Sequence, residues 1–233
     1  MTAVDLKPVV VLVTANAEWG PVKDYYRPSR VEANPYGEYF QEIIHKQPVI
    51  FQHGGWGKIA SAASTEMAVN RWNPEMIINI GTCGGFAGQI ERGAILMPDR
   101  TLAYDIIEQM GDAQEAIEAY TTRLDNSWLK QPYPLPVQSG ILVSADRDIV
   151  PESIPGLIAQ YQARAGDWES ASIAWVAAKK HNRRCLILRG VTDLVSPQGG
   201  EAYGGMDFFE QASRQIMDSL CASLSGWLAC AGL

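Results

Sequence analysis

The sequence predicts an α/β fold, a three-layer α/β/α sandwich with a central mixed sheet, formed by one domain over residues 1–233. Short apolar runs rich in β-branched residues alternate along the chain with longer segments of helical periodicity. Most of these runs are apolar throughout, as expected of strands covered on both faces. Such alternation is typical of layered α/β domains, and the length suits a single large domain.

The individual elements follow from this alternation. The predicted strands span residues 9–13, 48–52, 76–80, 94–97, 141–144 and 185–189. Helices are predicted over 58–72, 169–180 and 207–228, with a weaker one over 153–163 because Pro155 and Gly156 interrupt its beginning. Residues 107–136 have weak periodicity and many polar residues, so we interpret them as a surface excursion, a lid or a subunit contact.

Composition limits the classes of partner. Hydrophobic residues make up 47% of the chain and charged residues 19%, as in ordinary globular proteins. The net charge of -7 argues against binding to nucleic acid or to an anionic membrane, and favours a small-molecule ligand.

The apolar run at 9–13 is too short to span a membrane and lacks the flanks of a signal peptide, so a cytoplasmic location is predicted. The four cysteines and three histidines are scattered, which predicts reduced thiols, no metal and no cofactor.

Polar residues follow several predicted strands. They occur at Glu18 and at 81–85, 146–148 and 189–193. Ligands of open α/β sheets bind beyond the carboxyl ends of the strands, so these positions are the first candidates for a site.

Two of the glycine-rich segments differ in what they predict. In the GTCGG segment at 81–85, glycines such as Gly84 would let the backbone approach a ligand and Thr82 would add a hydroxyl, although a tight turn explains the segment equally well. The HGGWGK segment at 53–58 lacks the spacing and the Ser or Thr of a phosphate-binding loop, because Ile59 stands in that place. Close packing of a strand against a helix is the better explanation of its glycines.

Two acidic segments each have a structural and a functional interpretation. Glu169, at the beginning of a helix, is explained by the helix dipole, although a carboxylate can also accept hydrogen bonds from ribose hydroxyls. In the RGVTD segment at 189–193, Arg189 and Asp193 could form an ion pair that closes the strand. Alternatively, Asp193 is a general acid that its surroundings keep protonated.

Taken in order, these segments resemble the nucleoside phosphorylase and nucleosidase superfamily. The GGWGK sequence at 54–58, a helix of small residues and the NPEMIINIGTCGG sequence at 73–85 are similar to that family's signature region. The SAD sequence at 144–146, the Trp168-Glu169 pair and the RGVTD sequence follow at the family's spacing. The resemblance spans roughly residues 9–228 and is greatest to the methylthioadenosine/S-adenosylhomocysteine nucleosidases.

The resemblance implies hydrolysis of a purine nucleoside to free base and a ribose derivative. Asp193 would protonate the base, and Glu18, beside Arg189, would activate the attacking water. Glu169 would bind the 2′ and 3′ hydroxyls of the ribose, and Thr82 would lie near the water and the sugar. Glycoside cleavage has an oxocarbenium-like transition state, which requires an acid on the leaving group and a base or negative charge near the sugar. A raised pKa for Asp193 and an ionised Glu18 are therefore predicted.

The sequence departs from the family at positions implied to contact the substrate. Trp168 replaces the usual Met, Asp148 stands where an aromatic residue tends to stack on the purine, and Ile149 follows where the backbone contacts the base edge. The segment around Glu18 is also one residue shorter. These differences bear on which nucleoside is bound. Further candidates for the 5′ side, which helix packing explains as well, are Tyr203, Met206 and Phe208.

Water is favoured over phosphate as the nucleophile. The family's phosphorylases bind phosphate with an N-terminal Gly-Asp-Pro-x-Arg segment and a second Arg, but here TANAE occupies 14–18 and Asn79 takes the second place. A phosphate dianion without these arginines and near Glu18 would bind poorly.

Two alternative functions remain. One is a phosphate-dependent purine nucleoside phosphorylase, and the other is a non-catalytic nucleoside sensor, motivated by Trp168 and Asp148. The missing G-x-G-x-x-G disfavours a dinucleotide-dependent oxidoreductase, and the resemblance implies a homodimer or larger assembly.

Overall fold

The computed structural model describes residues 6–233, which form a mixed sheet with helices packed against it. Its strands are β1 (Val9–Val13), β2 (Glu32–Asn34), β3 (Gly37–Ile44), β4 (Gln47–His53), β5 (Met76–Phe86), β6 (Ile95–Ala103), β7 (Thr121–Arg123), β8 (Val137–Ser144), β9 (Ala163–Asp167), β10 (Arg184–Ser196) and β11 (Gly199–Gly200). Its α-helices are α1 (Asn16–Tyr26), α2 (Gly57–Trp72), α3 (Ala113–Ala119), α4 (Ile154–Tyr161), α5 (Ser170–Ala174) and α6 (Met206–Cys230). Helix α5 continues as a wider π-helix over Trp175–Lys180.

Five of the strands close into a ring. Strand β10 pairs in parallel with β5 and antiparallel with β6. Strand β6 pairs in parallel with β8, which pairs in parallel with β9, and β9 returns antiparallel to β5. From β5, the rest of the sheet continues through β1, β4, β3 and β2. Strand β10 closes the ring because one of its edges pairs with β5 along most of its length, while Arg189 and Gly190 pair with β6 at the other edge. Its pairing with β5 is irregular between Val191 and Asp193.

Strand β1 shows why the apolar runs are continuous. All five of its residues are buried. Val9, Val11 and Val13 belong to an apolar cluster that includes residues of α1 and α6. Val10 and Leu12 belong to a second cluster that includes residues of α2 and α5. Because each face of the strand packs against helices, neither set of alternating positions can be polar.

The predicted mixed α/β fold is confirmed, but five of the six predicted strands are longer than predicted, and β5 and β10 are extended the most. Strand β5 continues through the GTCGG segment, which was predicted to follow the strand, and β10 continues through the RGVTD segment. The alternative interpretation of 81–85 as a tight turn is therefore wrong. Glycines weaken strands in isolation, but here side chains of other elements approach these strands so closely that a side chain at the glycine would not fit. A Cβ at Gly190, for example, would lie 2.2 Å from Cγ2 of Ile216.

Several elements carry too weak a pattern to be predicted. Helix α1 contains Gly20 and Pro21, and the GEYFQEII sequence of β3 has no regular alternation of polar and apolar residues. The segment 107–136 contains α3 and β7, and β7 extends the sheet at β6. Within residues 6–233, no helix combines the length and the apolar character needed to cross a membrane.

Candidate active site

The side chain of Arg189 is the centre of a buried polar cluster. Its position on β10 leaves it fully buried. Nη2 donates to Oδ1 of Asn79 at 2.8 Å, and Nε donates to Oγ of Ser170 at 2.9 Å. Nε also lies 3.0 Å from Oδ2 of Asp167, and Nη1 lies 3.5 Å from Oε1 of Glu18. A buried guanidinium requires such partners, because desolvating it alone would be costly.

Of the two interpretations of the RGVTD segment, the structure excludes the ion pair between Arg189 and Asp193. In the described part of the chain, the carboxylates within 4.0 Å of the guanidinium belong to Glu18, Asp167 and Glu169. Burial alone would lower the pKa of Arg189, but these three carboxylates outweigh it and raise the pKa, so the guanidinium stays charged.

Glu18 is held by the beginning of its own helix and by Thr82 of β5. It lies in the first turn of α1, and its Oε2 accepts a hydrogen bond from the backbone N–H of Ala15 at 3.2 Å. Oε1 accepts from the backbone N–H of Thr82 at 2.6 Å and from Thr82 Oγ1 at 2.9 Å. The carboxyl group is therefore an acceptor on both oxygens, as an ionised carboxylate is. The predicted association of Glu18, Thr82 and Arg189 is present in the structure.

Glycines of β5 create the space for these side chains. A Cβ at Gly81 would lie 2.0 Å from Nη1 of Arg189 and 2.8 Å from Oε1 of Glu18. A Cβ at Gly84 would lie 2.8 Å from Cδ1 of Ile149. Gly81 and Gly84 are thus required by close approach of side chains across the strand, rather than by a turn.

Glu169 lies in the same cluster. It precedes α5, and its side chain makes no capping hydrogen bond to that helix. Instead, Oε1 accepts from the backbone N–H of Gly57 at 3.1 Å, and Oε2 lies 3.9 Å from Nη2 of Arg189. The pKa of Glu169 is raised to about 8, chiefly by burial; Arg189 lowers this pKa, and the charges of Asp167 and Glu18 raise it. The free protein therefore holds Glu169 largely protonated at pH 7.

Asp193 occupies a different environment on the same strand. It is 5% exposed, and its Oδ1 accepts from Thr192 Oγ1 at 2.7 Å. Burial raises the pKa of Asp193, and the charge of Glu201 adds to this effect, while hydrogen bonds from Thr192 and from the backbone of Ala202 oppose it. The predicted direction of the shift is confirmed. A carboxyl group that keeps its proton to higher pH can act as a general acid.

The strand pairing brings Asp193 near Glu169. Asp193 pairs with Gly84 of β5, and Gly84 pairs on its other side with Gly166 of β9. Neighbouring strands lie about 4.8 Å apart, so Asp193 and the end of β9 are separated by about 10 Å. Asp167 ends β9, and Glu169 follows two residues later. That separation is comparable with the length of a nucleoside's ribose and base.

The four remaining predicted site residues lie around this edge. Trp168 is half-buried and stacks on Trp56, with ring centroids 4.9 Å apart. Asp148 is exposed, so its charge is solvated in the free protein. The side chain of Ile149 packs over Gly84, and its backbone oxygen accepts a hydrogen bond from the hydroxyl of Tyr203.

The three 5′-side candidates differ in what they contact. Tyr203 is 47% exposed and Met206 is 67% exposed, so helix packing does not explain them. The guanidinium of Arg92 lies over the ring of Phe208, 5.8 Å from its centroid.

Sequence reasoning missed the residues that position Arg189. Asp167 accepts hydrogen bonds from the hydroxyls of Ser144 and Ser170, the first at 2.5 Å, and thereby links the ends of β8 and β9 to α5. Asn79 bridges Arg189 and the backbone oxygen of Leu12, to which it donates at 3.0 Å. The available signal was the requirement of a buried Arg for a carboxylate partner, together with the position of Asp167 two residues before Glu169.

No metal centre is formed by the residues that the structure describes. Among positions 6–233, no group of three or more His, Cys, Asp or Glu side chains is arranged to hold an ion. The cluster around Arg189 combines one cation with three carboxyl groups.

Comparison with known proteins identifies the family of this chain. The chain matches the family model of the phosphorylase superfamily over residues 9–226. The 5′-methylthioadenosine/S-adenosylhomocysteine nucleosidase of Staphylococcus saprophyticus is 27% identical over 208 residues, which cover 80% of this chain and 86% of that protein. The nucleosidase of the same name from Listeria welshimeri is 28% identical over 199 residues, covering 76% of this chain and 81% of the relative.

A solved structure shares the fold. The crystal structure of the Helicobacter pylori 5′-methylthioadenosine/S-adenosylhomocysteine nucleosidase with butyl-thio-DADMe-Immucillin-A has a TM-score of 0.78 and 15% identity. The alignment covers 94% of this chain and 98% of that one. The resemblance predicted from the motifs is thereby confirmed. Because the family model spans nearly the whole sequence, this chain belongs to the phosphorylase superfamily.

Proposed function

We propose that this protein hydrolyses the N-glycosidic bond of a 5′-substituted purine nucleoside of the methylthioadenosine/S-adenosylhomocysteine type, giving free base and a ribose derivative. The main support for the proposal is that two carboxyl groups at β10, those of Glu18 and Asp193, lie in different electrostatic environments. Arg189 is surrounded by carboxylates including Glu18, whereas Asp193, four residues later, has a raised pKa. An acid and a base held apart in this way match the needs of glycoside cleavage.

In the proposed reaction, Asp193 donates its proton to the imidazole nitrogen of the purine. The C–N bond breaks and its electron pair stays with the base, which leaves as a neutral molecule. Water adds to the anomeric carbon and gives its proton to Glu18, so hydrogen and charge balance. Thr82 and Arg189 hold Glu18 in place for this step. No cofactor is required.

Glu169 would bind the sugar through its 2′ and 3′ hydroxyls. A diol donates two hydrogen bonds, and a carboxylate can accept both. The carboxylates around the sugar would also stabilise the positive charge that develops at the anomeric carbon. We assign Trp168, Gly84, Asp148 and Ile149 to the surroundings of the nucleoside, on the strength of their positions at the same edge of the ring.

Hydrolysis is favoured over phosphorolysis by the charge of the cluster. Arg189 is already paired with Asp167 at 3.0 Å, and Glu18 and Glu169 lie within 4.0 Å of it. A phosphate dianion at this place would meet more negative than positive charge. Incubation of the protein with a panel of purine nucleosides, with and without phosphate, tests the point. Free ribose derivative at a phosphate-independent rate supports hydrolysis, and a ribose 1-phosphate product would contradict it.

We further propose that the chain is one domain with a three-layer arrangement of helices on both faces of the sheet. The two apolar clusters on opposite faces of β1 support this arrangement. A cytoplasmic location is proposed as well, supported by four buried cysteines that are all free thiols.

We also propose that the protein forms a homodimer or a larger assembly. Three large apolar side chains near the site are strongly exposed: Ile59 at 84%, Ile107 at 75% and Met110 at 100%. Lys58 contacts Asp105, which brings the first turn of α2 next to the segment that holds Ile107 and Met110. Covering this apolar surface would favour association. Light scattering of the purified protein measures the mass directly, and a monomer at all concentrations would contradict the proposal.

A further inference from the structure

Trp56 and Trp168 form a stacked aromatic pair outside the apolar core. Their ring centroids are 4.9 Å apart and their planes are inclined by 30°. Trp56 is 68% exposed, and neither residue belongs to the three apolar clusters of the described chain. Packing of the fold therefore does not account for the pair. A solvent-exposed aromatic surface beside a polar site is typical of a surface that binds a ligand.

The pair is anchored to the carboxylate proposed to bind the ribose. Trp168 immediately precedes Glu169 in the chain. Trp56 immediately precedes Gly57, whose backbone N–H donates to Oε1 of Glu169 at 3.1 Å. The backbone of Gly57 has a φ of +84°, so this approach to Glu169 depends on a glycine. Both indoles therefore stand next to one carboxyl group.

Glu169 lies between the segment that holds Trp56 and the strand that holds Asp193. One oxygen of Glu169 faces Arg189 on β10, the strand that also holds Asp193, and the other faces Gly57 after β4. In the sheet, β5 and β1 separate β10 from β4. In a nucleoside, the base and the 5′ substituent leave the ribose from opposite ends, on either side of the diol. With the base at Asp193 and the diol at Glu169, the 5′ substituent points toward the indoles.

We propose that Trp56 and Trp168 form a subsite that selects nucleosides whose 5′ substituent ends in a planar unsaturated ring. This inference rests on the proposed nucleosidase function and adds a substrate class to it. A planar ring can stack on an indole face, while a saturated ring of the same size buries similar apolar area without that stacking. The stacking preference corresponds to about a 3- to 10-fold difference in kcat/KM.

The test compares three adenine nucleosides that differ only at the 5′ sulfur: 5′-phenylthio, 5′-cyclohexylthio and 5′-methylthio. For the protein with its native sequence, kcat/KM for the phenylthio compound should exceed that for the cyclohexylthio compound by about 3- to 10-fold. Trp56→Leu should reduce this ratio to about 1, and Trp56→Phe should restore part of it. Quenching of tryptophan fluorescence by the phenylthio compound in Asp193→Asn measures the same contact without turnover.

Trp175→Leu is the matched control, because Trp175 also stacks on an exposed aromatic ring, that of Tyr120 at 5.9 Å, but its indole N–H donates to the backbone oxygen of Ala119, away from Glu169. Its ratio should equal that of the native protein. A native ratio of 1 or less, or a ratio that survives Trp56→Leu, would overturn the subsite while leaving nucleoside hydrolysis intact. Release of no base from any of the three compounds would instead overturn the proposed function, and the subsite with it.

Discussion

Oδ2 of Asp167 lies 3.0 Å from Nε of Arg189, and both side chains are buried. The guanidinium thus has its carboxylate partner at the end of β9, and Asp193 on its own strand is left without a cation. This is why burial can raise the pKa of Asp193, since no neighbouring positive charge lowers it. The pairing of Arg189 with Asp167 is therefore a condition for an acid at Asp193.

Removing the guanidinium should strongly destabilise the fold. Arg189→Met leaves Asp167 and Glu18 buried without their cation, so we expect the free energy of unfolding to fall by about 3–5 kcal/mol in denaturant titrations. Arg214→Met is the control, because Arg214 pairs with Asp24 at the surface and both side chains are more than half exposed. That change should cost under about 1 kcal/mol. Equal effects of the two substitutions would contradict the account of the cluster.

A methyl group at position 81 should displace the side chains of Arg189 and Glu18. In Gly81→Ala, the new Cβ would collide with Arg189 and Glu18, so their side chains must move. We expect a loss of stability of about 1–3 kcal/mol and a loss of kcat of about 100-fold. Gly156→Ala, where a Cβ would meet no heavy atom within 4 Å, should be tolerated. Full activity of Gly81→Ala would show that the close approach is not needed.

Nucleoside binding should release a proton from Glu169. Its pKa of about 8 keeps it mainly protonated at pH 7 in the free protein, and hydrogen bonds from a ribose diol favour the ionised form and lower that pKa. Calorimetric titration of Asp193→Asn in buffers of different ionisation enthalpy counts the protons. We expect release at pH 7, and its disappearance when Glu169→Gln is added. Proton uptake on binding would contradict this role.

The alkaline limit of activity should depend on Glu201. Asp193 must be protonated to act as an acid, so kcat/KM, which follows ionisation of the free protein, falls as the pH rises through the raised pKa of Asp193. The charge of Glu201 contributes to that raised pKa, so Glu201→Gln should move the alkaline limb of the pH profile to lower pH. The exposed Glu210→Gln on α6 is the control and should leave the profile in place. A limb that stays fixed in both variants would exclude Asp193 as the titrating group.

Continuous apolar runs were enough to predict much of the fold. The six predicted strands and four predicted helices are all present, because 9–13 is apolar throughout and 58–72 has small and apolar residues at helical spacing. The ends of β5 and β10 could not be predicted, since local preference disfavours Gly81 and Gly190 in strands, and close tertiary approach overrides it. Closure of the ring depends on pairing between strands that are far apart in the chain, and local sequence patterns do not predict such pairing.

The site was predictable where the motifs are distinctive. Glu18, Thr82, Arg189 and Glu169 are brought together as the resemblance implied. The partner of Arg189 was not predictable, because Asp167 and Asp193 are equally plausible carboxylates in the sequence and only the pairing of β9 with β5 places one of them against the guanidinium.

Turnover by Asp193→Asn tests the central claim most directly. Release of free base from 5′-methylthioadenosine is followed in the native protein, in Asp193→Asn and in the exposed control Asp218→Asn. The account predicts a fall in kcat of about 10²- to 10⁴-fold for Asp193→Asn, with the fold retained and the control unaffected. An Asp193→Asn protein as fast as the native one would contradict it.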